Sequence, residues 1–109
     1  MNKQGTRTEE SLQLRKEGGQ LLKTIRQHRG LTQRDVAVAL DLKYYTMIAQ
    51  IESGAARIPP DHFVGYAKVL SCNPQLFIRK MMAFHDPVTY AGLWGNEYIP
   101  MTDLMDSDA

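Results

Sequence analysis

The stretch from Leu31 to Gly54, LTQRDVAVALDLKYYTMIAQIESG, constrains this chain more than any other. Its punctuation calls for two short helices and a tight turn. Thr32 is placed to cap the first helix, because a threonine hydroxyl accepts from an orphan N–H of the first turn. Asp35 stands three residues on, where a capping-box acid reaches back to the N-cap backbone. Val36, Ala37 and Leu40 then fall on one helix face. Asp41 marks the turn, since aspartate tolerates a left-handed conformation better than most residues. Leu42 reads as a plug between the helices. The spacing predicts a second helix from about Tyr44 to Ser53, with Ile48, Ile51 and Glu52 on its inward side and Gly54 as its stop.

Two helices of this size bury little surface alone, so the flanks must supply a scaffold. A first helix is predicted from Leu14 or Glu17 to His28 or Arg29, with Leu21, Leu22 and Ile25 as its apolar stripe. Gly18-Gly19 leaves its start open, and Gly30 closes it. Arg26 lies beside that stripe and Glu52 faces inward on the later helix, which predicts a buried ion pair between them. Residues 55–60 form a loop. Asp61 opens a fourth helix behind Pro59 and Pro60, with Phe63, Ala67 and Leu70 inward and Tyr66 alongside. Asn73 and Pro74 are N-cap and first residue of a fifth helix. It carries Leu76, Phe77, Met81 and Met82 and ends near His85, before Pro87.

Residues 1–15 are polar and read as a flexible tail. Residues 16–85 hold the helical domain. Residues 86–109 form a C-terminal extension: Val88 to Trp94 makes a short helix or packed arm, and Met101–Ala109 reads as a disordered acidic tail.

A chain of 109 residues with 43% apolar content is expected to be one globular domain. No apolar run approaches the ~20 residues that span a bilayer. The first residues lack the apolar centre of a secretory signal. The expectation is a cytoplasmic protein with no membrane association, and the single Cys72 suits that as a structural core thiol. Net charge is only +1, but residues 1–60 hold ten Lys/Arg against six acids, whereas residues 61–109 hold three against six. The basic half contains the paired helices, as phosphate binding requires. His28, His62 and His85 have no partner at metal-pair spacing. There is no phosphate-binding glycine loop or nucleophile elbow. No catalytic residue, cofactor or metal is therefore expected.

Ile25-Arg26, Arg29-Gly30-Leu31-Thr32-Gln33, Val36-Ala37, Leu40, Leu42, Ile48 and Ile51-Glu52-Ser53-Gly54 occur in an order that resembles the Cro/CI-type (Xre-like) helix-turn-helix regulators. Pro59, Ala67, Leu70, Asn73 and Phe77 match the scaffold helices behind the motif, so the resemblance covers about residues 17–82. It implies an all-α fold, a compact lambda-repressor-like bundle of about five helices, that binds operator DNA, commonly as a dimer. Two departures stand out. Leu40 to Gly54 is one residue longer than the commonest form of the motif. Lys43-Tyr44-Tyr45 also stands where the family usually places a Ser or Thr cap.

In such a motif the second helix enters the major groove. Stepping about 100° per residue from an inward Ile48 puts Ile51, Glu52 and Tyr44 inward and Thr46, Gln50 and Ser53 opposite. Thr46 and Gln50 are the main candidate base readers, with Ala49 and Tyr45 beside them. A glutamine amide pairs bidentately with adenine, and the Thr46 and Ala49 methyls suit a thymine methyl. Candidate backbone contacts are Gln33 at the start of the first motif helix, Arg34, Lys43, Tyr44, Ser53 and Arg57. Tyr44 has a second reading, as packing against the first helix.

The function expected is a sequence-specific transcriptional regulator, a repressor, reading a palindromic operator in double-stranded DNA as a homodimer. Phe84 to Ile99, with Tyr90, Leu93, Trp94 and Tyr98, either forms the dimer contact or caps the monomer core. The alternative is an antitoxin or protein-binding adaptor, with the same segment meeting a protein partner.

Overall fold

The order of helices follows the caps and stops of the sequence closely. A computed structural model describes the backbone of residues 3–105 and the side chains of residues 9–105. It contains α1 (Lys3–His28), α2 (Gln33–Ala39), α3 (Thr46–Ser53), α4 (Phe63–Val69), α5 (Pro74–His85), α6 (Pro87–Trp94) and α7 (Met101–Leu104). A 3-10 turn over Pro60–His62 leads into α4. Among the described residues there is no strand, only an isolated antiparallel bridge between Cys72 and Met105. The fold is the expected all-α bundle, made by α1 to α5, with α6 and α7 added to it. No helix is long and apolar enough to cross a membrane among the described residues.

The core gathers Leu22 and Ile25 of α1, Val36 of α2, Ile48 and Ile51 of α3, Tyr66 of α4, and Phe77 and Met81 of α5. Tyr66, expected alongside the inward face, is fully within it and stacks on Phe77 at 6.0 Å between ring centres. Cys72 is buried as expected. Asn73 caps α5 by accepting the Leu76 N–H at 3.1 Å, and Asp86 caps α6 through Thr89 at 3.2 Å. Arg29 closes the far end of α4. Its Nε donates to the Leu70 carbonyl at 2.8 Å and its Nη2 to the Ser71 carbonyl at 2.9 Å. These are carbonyls that a helix end leaves without an internal partner.

Three expectations need correction. First, α1 begins at Lys3, well before Leu14. Residues 3–15 carry good helix formers but no apolar stripe, so periodicity could not announce them. Second, Gly18-Gly19 is not a boundary but a crossing point inside α1. A Cβ on Gly18 would lie 2.8 Å from Phe84 Cβ, and one on Gly19 would lie 2.6 Å from the Glu52 carbonyl carbon. Only glycine lets α3 and α5 approach α1 this closely.

Third, the chain from Ile99 to Met105 is a strap on the core. Ile99 and Leu104 are core residues. The Asn73 N–H donates to the Leu104 carbonyl at 2.8 Å, and the buried Lys80 ammonium donates to the Ile99 carbonyl at 2.7 Å. The acids around Met101 and Leu104 had masked an apolar pair one turn apart. Asp106 and Asp108, the remaining acids of the expected tail, lie outside the described residues. In α6, Tyr90 and Trp94 turn toward α5, where the Arg79 guanidinium lies 4.8 Å from the Trp94 ring centre. Val88 and Leu93 stay 83% and 62% exposed.

Replacing Gly19 with alanine should destabilise the protein by at least about 1–3 kcal/mol through overpacking. Alanine's better helix propensity, about 1 kcal/mol, acts in the opposite direction. A melting temperature that stays level or rises would show that α1 and α3 do not meet as described.

His85 supplies a second test. Its Nε2 accepts the Ile58 N–H at 3.1 Å. Burial pushes its pKa from 6.5 down to about 4, with Arg57 and Arg15 adding to the effect. The folded state therefore binds this proton less readily than the unfolded chain. The stability it contributes is complete above pH 6.5 and is lost as pH falls toward 4, with a slope approaching about 1.4 kcal/mol per pH unit. Urea melts across that window, beside an NMR titration of the His85 ring, measure both. A ring that titrates at its ordinary pH in the folded protein would refute the arrangement.

Candidate nucleic-acid interface

The two short helices are built as their caps dictate. Thr32 Oγ1 accepts the Asp35 N–H at 3.0 Å, and Asp35 Oδ2 accepts the Thr32 N–H at 2.8 Å. The Thr32 N–H bond to the carboxylate, with the Thr32 hydroxyl beside it, favours the ionised acid and holds the Asp35 carboxyl below its usual range. Asp41 takes the left-handed turn with φ 58°. Leu42 sits half-buried between the helices, and its N–H donates to the Ala37 carbonyl at 2.9 Å. At the end of α3, Gly54 has φ 88°, a conformation in which a side chain would be strained. It also packs against the Lys16 backbone, where a Cβ would lie 2.8 Å from the amide nitrogen.

A buried fork sets the orientation of α3. Arg26 Nε donates to Glu52 Oε2 at 2.6 Å and Nη2 to Oε1 at 3.0 Å. Arg26 Nη1 also donates to the Leu31 carbonyl at 2.8 Å. Their side chains are only 9% and 3% exposed. The carboxylate bond raises the Arg26 pKa against the opposing effect of burial. The expected ion pair thus ties α1 to α3 and reaches the start of the motif. Arg15 adds an outer tie, its Nε donating to the Gly54 carbonyl at 3.0 Å.

With Ile48, Ile51 and Glu52 held inward, Thr46, Gln50 and Ser53 stand exposed on the outer face of α3. Ala49 is half-buried at its edge. The Ser53 hydroxyl is engaged locally, donating to the Gln50 carbonyl at 3.0 Å and accepting from the Ala55 N–H at 3.3 Å. Gln33 does not point freely outward, because its Nε2 donates to Glu52 Oε1 at 3.1 Å.

The longer turn changes the start of the helix. Tyr45, not a residue before Tyr44, is the N-cap of α3 and makes no side-chain capping bond. Tyr44 therefore lies outside the helix, where the helical step that put it inward does not apply. It is 64% exposed, with the Lys43 ammonium 5.4 Å from its ring centre. Packing against α1 is not its role. Tyr45 is also exposed, and the Arg34 guanidinium lies 5.8 Å from its ring centre. Arg57 is exposed on the loop after α3.

The sequence reading missed one part of this surface. Lys16, Gln20 and Lys23 of α1 line a cleft of about 390 Å³ with Gln33, Ala49 and Ser53. Residues at i, i+4 and i+7 share a helix face. That spacing, on the helix that carries the Gly19 crossing, was the available signal. Two ammonium groups and the Gln20 amide line it beside α3, with the Gln33 amide and the Glu52 carboxylate paired to each other, and these donors suit a phosphate backbone. Among the described residues no cluster of three or more His, Cys, Asp or Glu could hold a metal ion.

Comparison with known proteins agrees with this geometry. The sequence model of a family described as helix-turn-helix matches residues 22–77, from the apolar stripe of α1 to the first turn of α5. No curated protein matches the chain, and no solved structure does.

Arg26→Met leaves the Glu52 carboxylate buried without its cation and should cost about 3–5 kcal/mol in a urea melt. Arg26→Met combined with Glu52→Leu should recover most of that loss, because an apolar pair removes the stranded charge. A single variant that melts like the parent would contradict the pairing.

Proposed function

The chain belongs to the Cro/CI-type helix-turn-helix family and is thereby a DNA-binding regulator in general terms; we propose that it is a repressor that reads a palindromic operator as a homodimer. The observation that carries this is the division of α3. One face is fixed to α1 through the Arg26–Glu52 fork, and the opposite face presents the exposed side chains of Thr46 and Gln50. Gln50 pairs with an adenine edge, Thr46 and Ala49 meet thymine methyls, and Tyr45 reaches a neighbouring base.

Backbone contacts in this reading come from Lys43, Arg34 and Arg57, with Tyr44 and Ser53 at the margin. Gln33 acts through the helix start it occupies, its side chain being shared with Glu52. Lys16 and Lys23 extend the contact along α1. Residues 16–85 act as the DNA-binding unit, within the cytoplasm. One reading helix covers too few bases for useful discrimination, and two copies with half-sites about 34 Å apart solve this.

The dimer contact is assigned to residues 86–109, through the outer face of α6. Val88 and Leu93 are its exposed apolar groups, and residues 87–95 carry no charge. A two-fold contact sets each patch against its own copy, so an uncharged patch avoids like-charge repulsion. The same exposed face favours a second reading, an antitoxin or adaptor that meets a different protein there.

Selection of duplexes from a random pool tests the reading. The parent chain should enrich an inverted repeat, and Thr46→Ala with Gln50→Ala should lose discrimination by about tenfold to a hundredfold while melting normally. Lys43→Ala and Lys23→Ala should each weaken binding to every sequence and lower the salt slope by about one. Leu93→Glu should give a monomer by sedimentation. Unchanged discrimination in the double variant would overturn the base-reading assignment. A stable complex with another protein, with no enriched duplex, would favour the second reading.

A further inference from the structure

Behind the reading surface, the loop after α3 and the end of α5 enclose a cleft of about 350 Å³. That lies at the small end of the range for small-molecule sites, roughly 300–1,000 Å³. Its walls are largely apolar: Ile58, Pro59, Phe63 and Met82. The His85 ring also lines it, inclined to Phe63 with 6.3 Å between ring centres. Arg57 stands at the rim.

His85 is 8% exposed and spends one nitrogen on the fold, with Nε2 accepting the Ile58 N–H at 3.1 Å. A neutral imidazole that accepts at one nitrogen carries its proton on the other. Nδ1 is therefore a donor. It is buried, with no hydrogen-bond partner among the described residues. A buried donor without an acceptor is costly and calls for a functional explanation. Burial first, then Arg57 and Arg15, disfavour a proton on this ring, and the two guanidinium groups are the positive charges that an anionic acceptor would meet there. Asp86, the acid on the rim, caps α6 by accepting the Thr89 N–H and stays ionised in the field of Arg57, so a bound anion competes with it for that charge.

We propose that this cleft binds a small apolar carboxylate, its hydrocarbon part between Phe63 and Met82 and its oxygens on His85 Nδ1–H and Arg57. The coupling to DNA rests on the function proposed above. Arg57 serves either the ligand or the DNA backbone, so the ligand weakens DNA binding by withdrawing it.

The test uses the full chain, labelled with ¹⁵N and titrated with benzoate and with phenylacetate. Either acid should give saturable shifts at the Ile58 amide and the His85 ring nitrogens, whereas benzylamine should give none. Met82→Trp, which fills the cleft, should abolish the shifts, and Arg57→Gln should weaken binding by about tenfold. Should Met82→Trp fail to fold, the Arg57→Gln variant, altered only at the surface, still decides. Saturating acid should also weaken duplex binding by the parent chain. No saturable shift with either acid overturns the site. So does equal binding of benzylamine, or acid binding that Arg57→Gln leaves untouched. The titration contains no DNA, so a failure of the DNA reading cannot imitate a failure of the site.

Discussion

The Arg26–Glu52 fork is the interaction on which the reading surface depends. Its net contribution to stability is small, because removing two charges from water offsets much of their attraction. Its contribution to geometry is larger. A planar guanidinium that makes two bonds to one carboxylate, plus one to the Leu31 carbonyl, has little rotational freedom. Glu52 in turn receives Gln33. One buried carboxylate therefore ties together α1, the start of α2 and the last turn of α3. The close approach this requires is possible because Gly19 has no side chain.

Much of this was legible in the sequence, for a local reason. Caps and stops act within a few residues, so the Thr32–Asp35 box, the Asn73-Pro74 start and the Gly54 stop announce themselves. The Arg26–Glu52 pair was legible because each charge fell beside an apolar stripe, where an unpaired ion is costly. The rest depends on contacts distant in sequence. Gly18-Gly19 reads locally as a break, and only the elements that cross there make it a packing device. The start of α1 has no apolar period to detect. The place of Tyr44 went wrong because one extra turn residue shifts the start of α3, and every face assignment before that start changes with it. Leu104 looked like part of an acidic tail, and Ile99 belonged to a segment read either as a dimer contact or as a cap on the core; the carbonyl bonds from Lys80 and Asn73 fix both in the core.

The charge count also reads differently once the structure is known. Ten cations in residues 1–60 suggested a basic face. Three of them are committed inside the fold. Arg26 is paired with Glu52, Arg29 closes α4, and Arg15 holds the Gly54 carbonyl. The three committed cations are all arginines, as suits a planar group with several fixed donors. Lys16, Lys23 and Lys43 stay exposed, where a flexible ammonium can follow a phosphate as a point charge.

The C-terminal segment does two things that pull against each other. Its strap completes the core, with Ile99 and Leu104 packed and Lys80 spending its ammonium on a backbone carbonyl. A buried lysine tolerates that place because the carbonyl and the Tyr98 ring, 4.1 Å from Nζ, replace part of its hydration. Between α5 and the strap, however, α6 packs only one side. Trp94 meets Arg79 and Tyr90, while Val88 and Leu93 face outward. A segment fastened at both ends, at the Asp86 cap and at Ile99, cannot fold that outer side back onto its own core. Within the monomer the apolar face of α6 stays where the strap holds it, and any burial of it must come from a second surface.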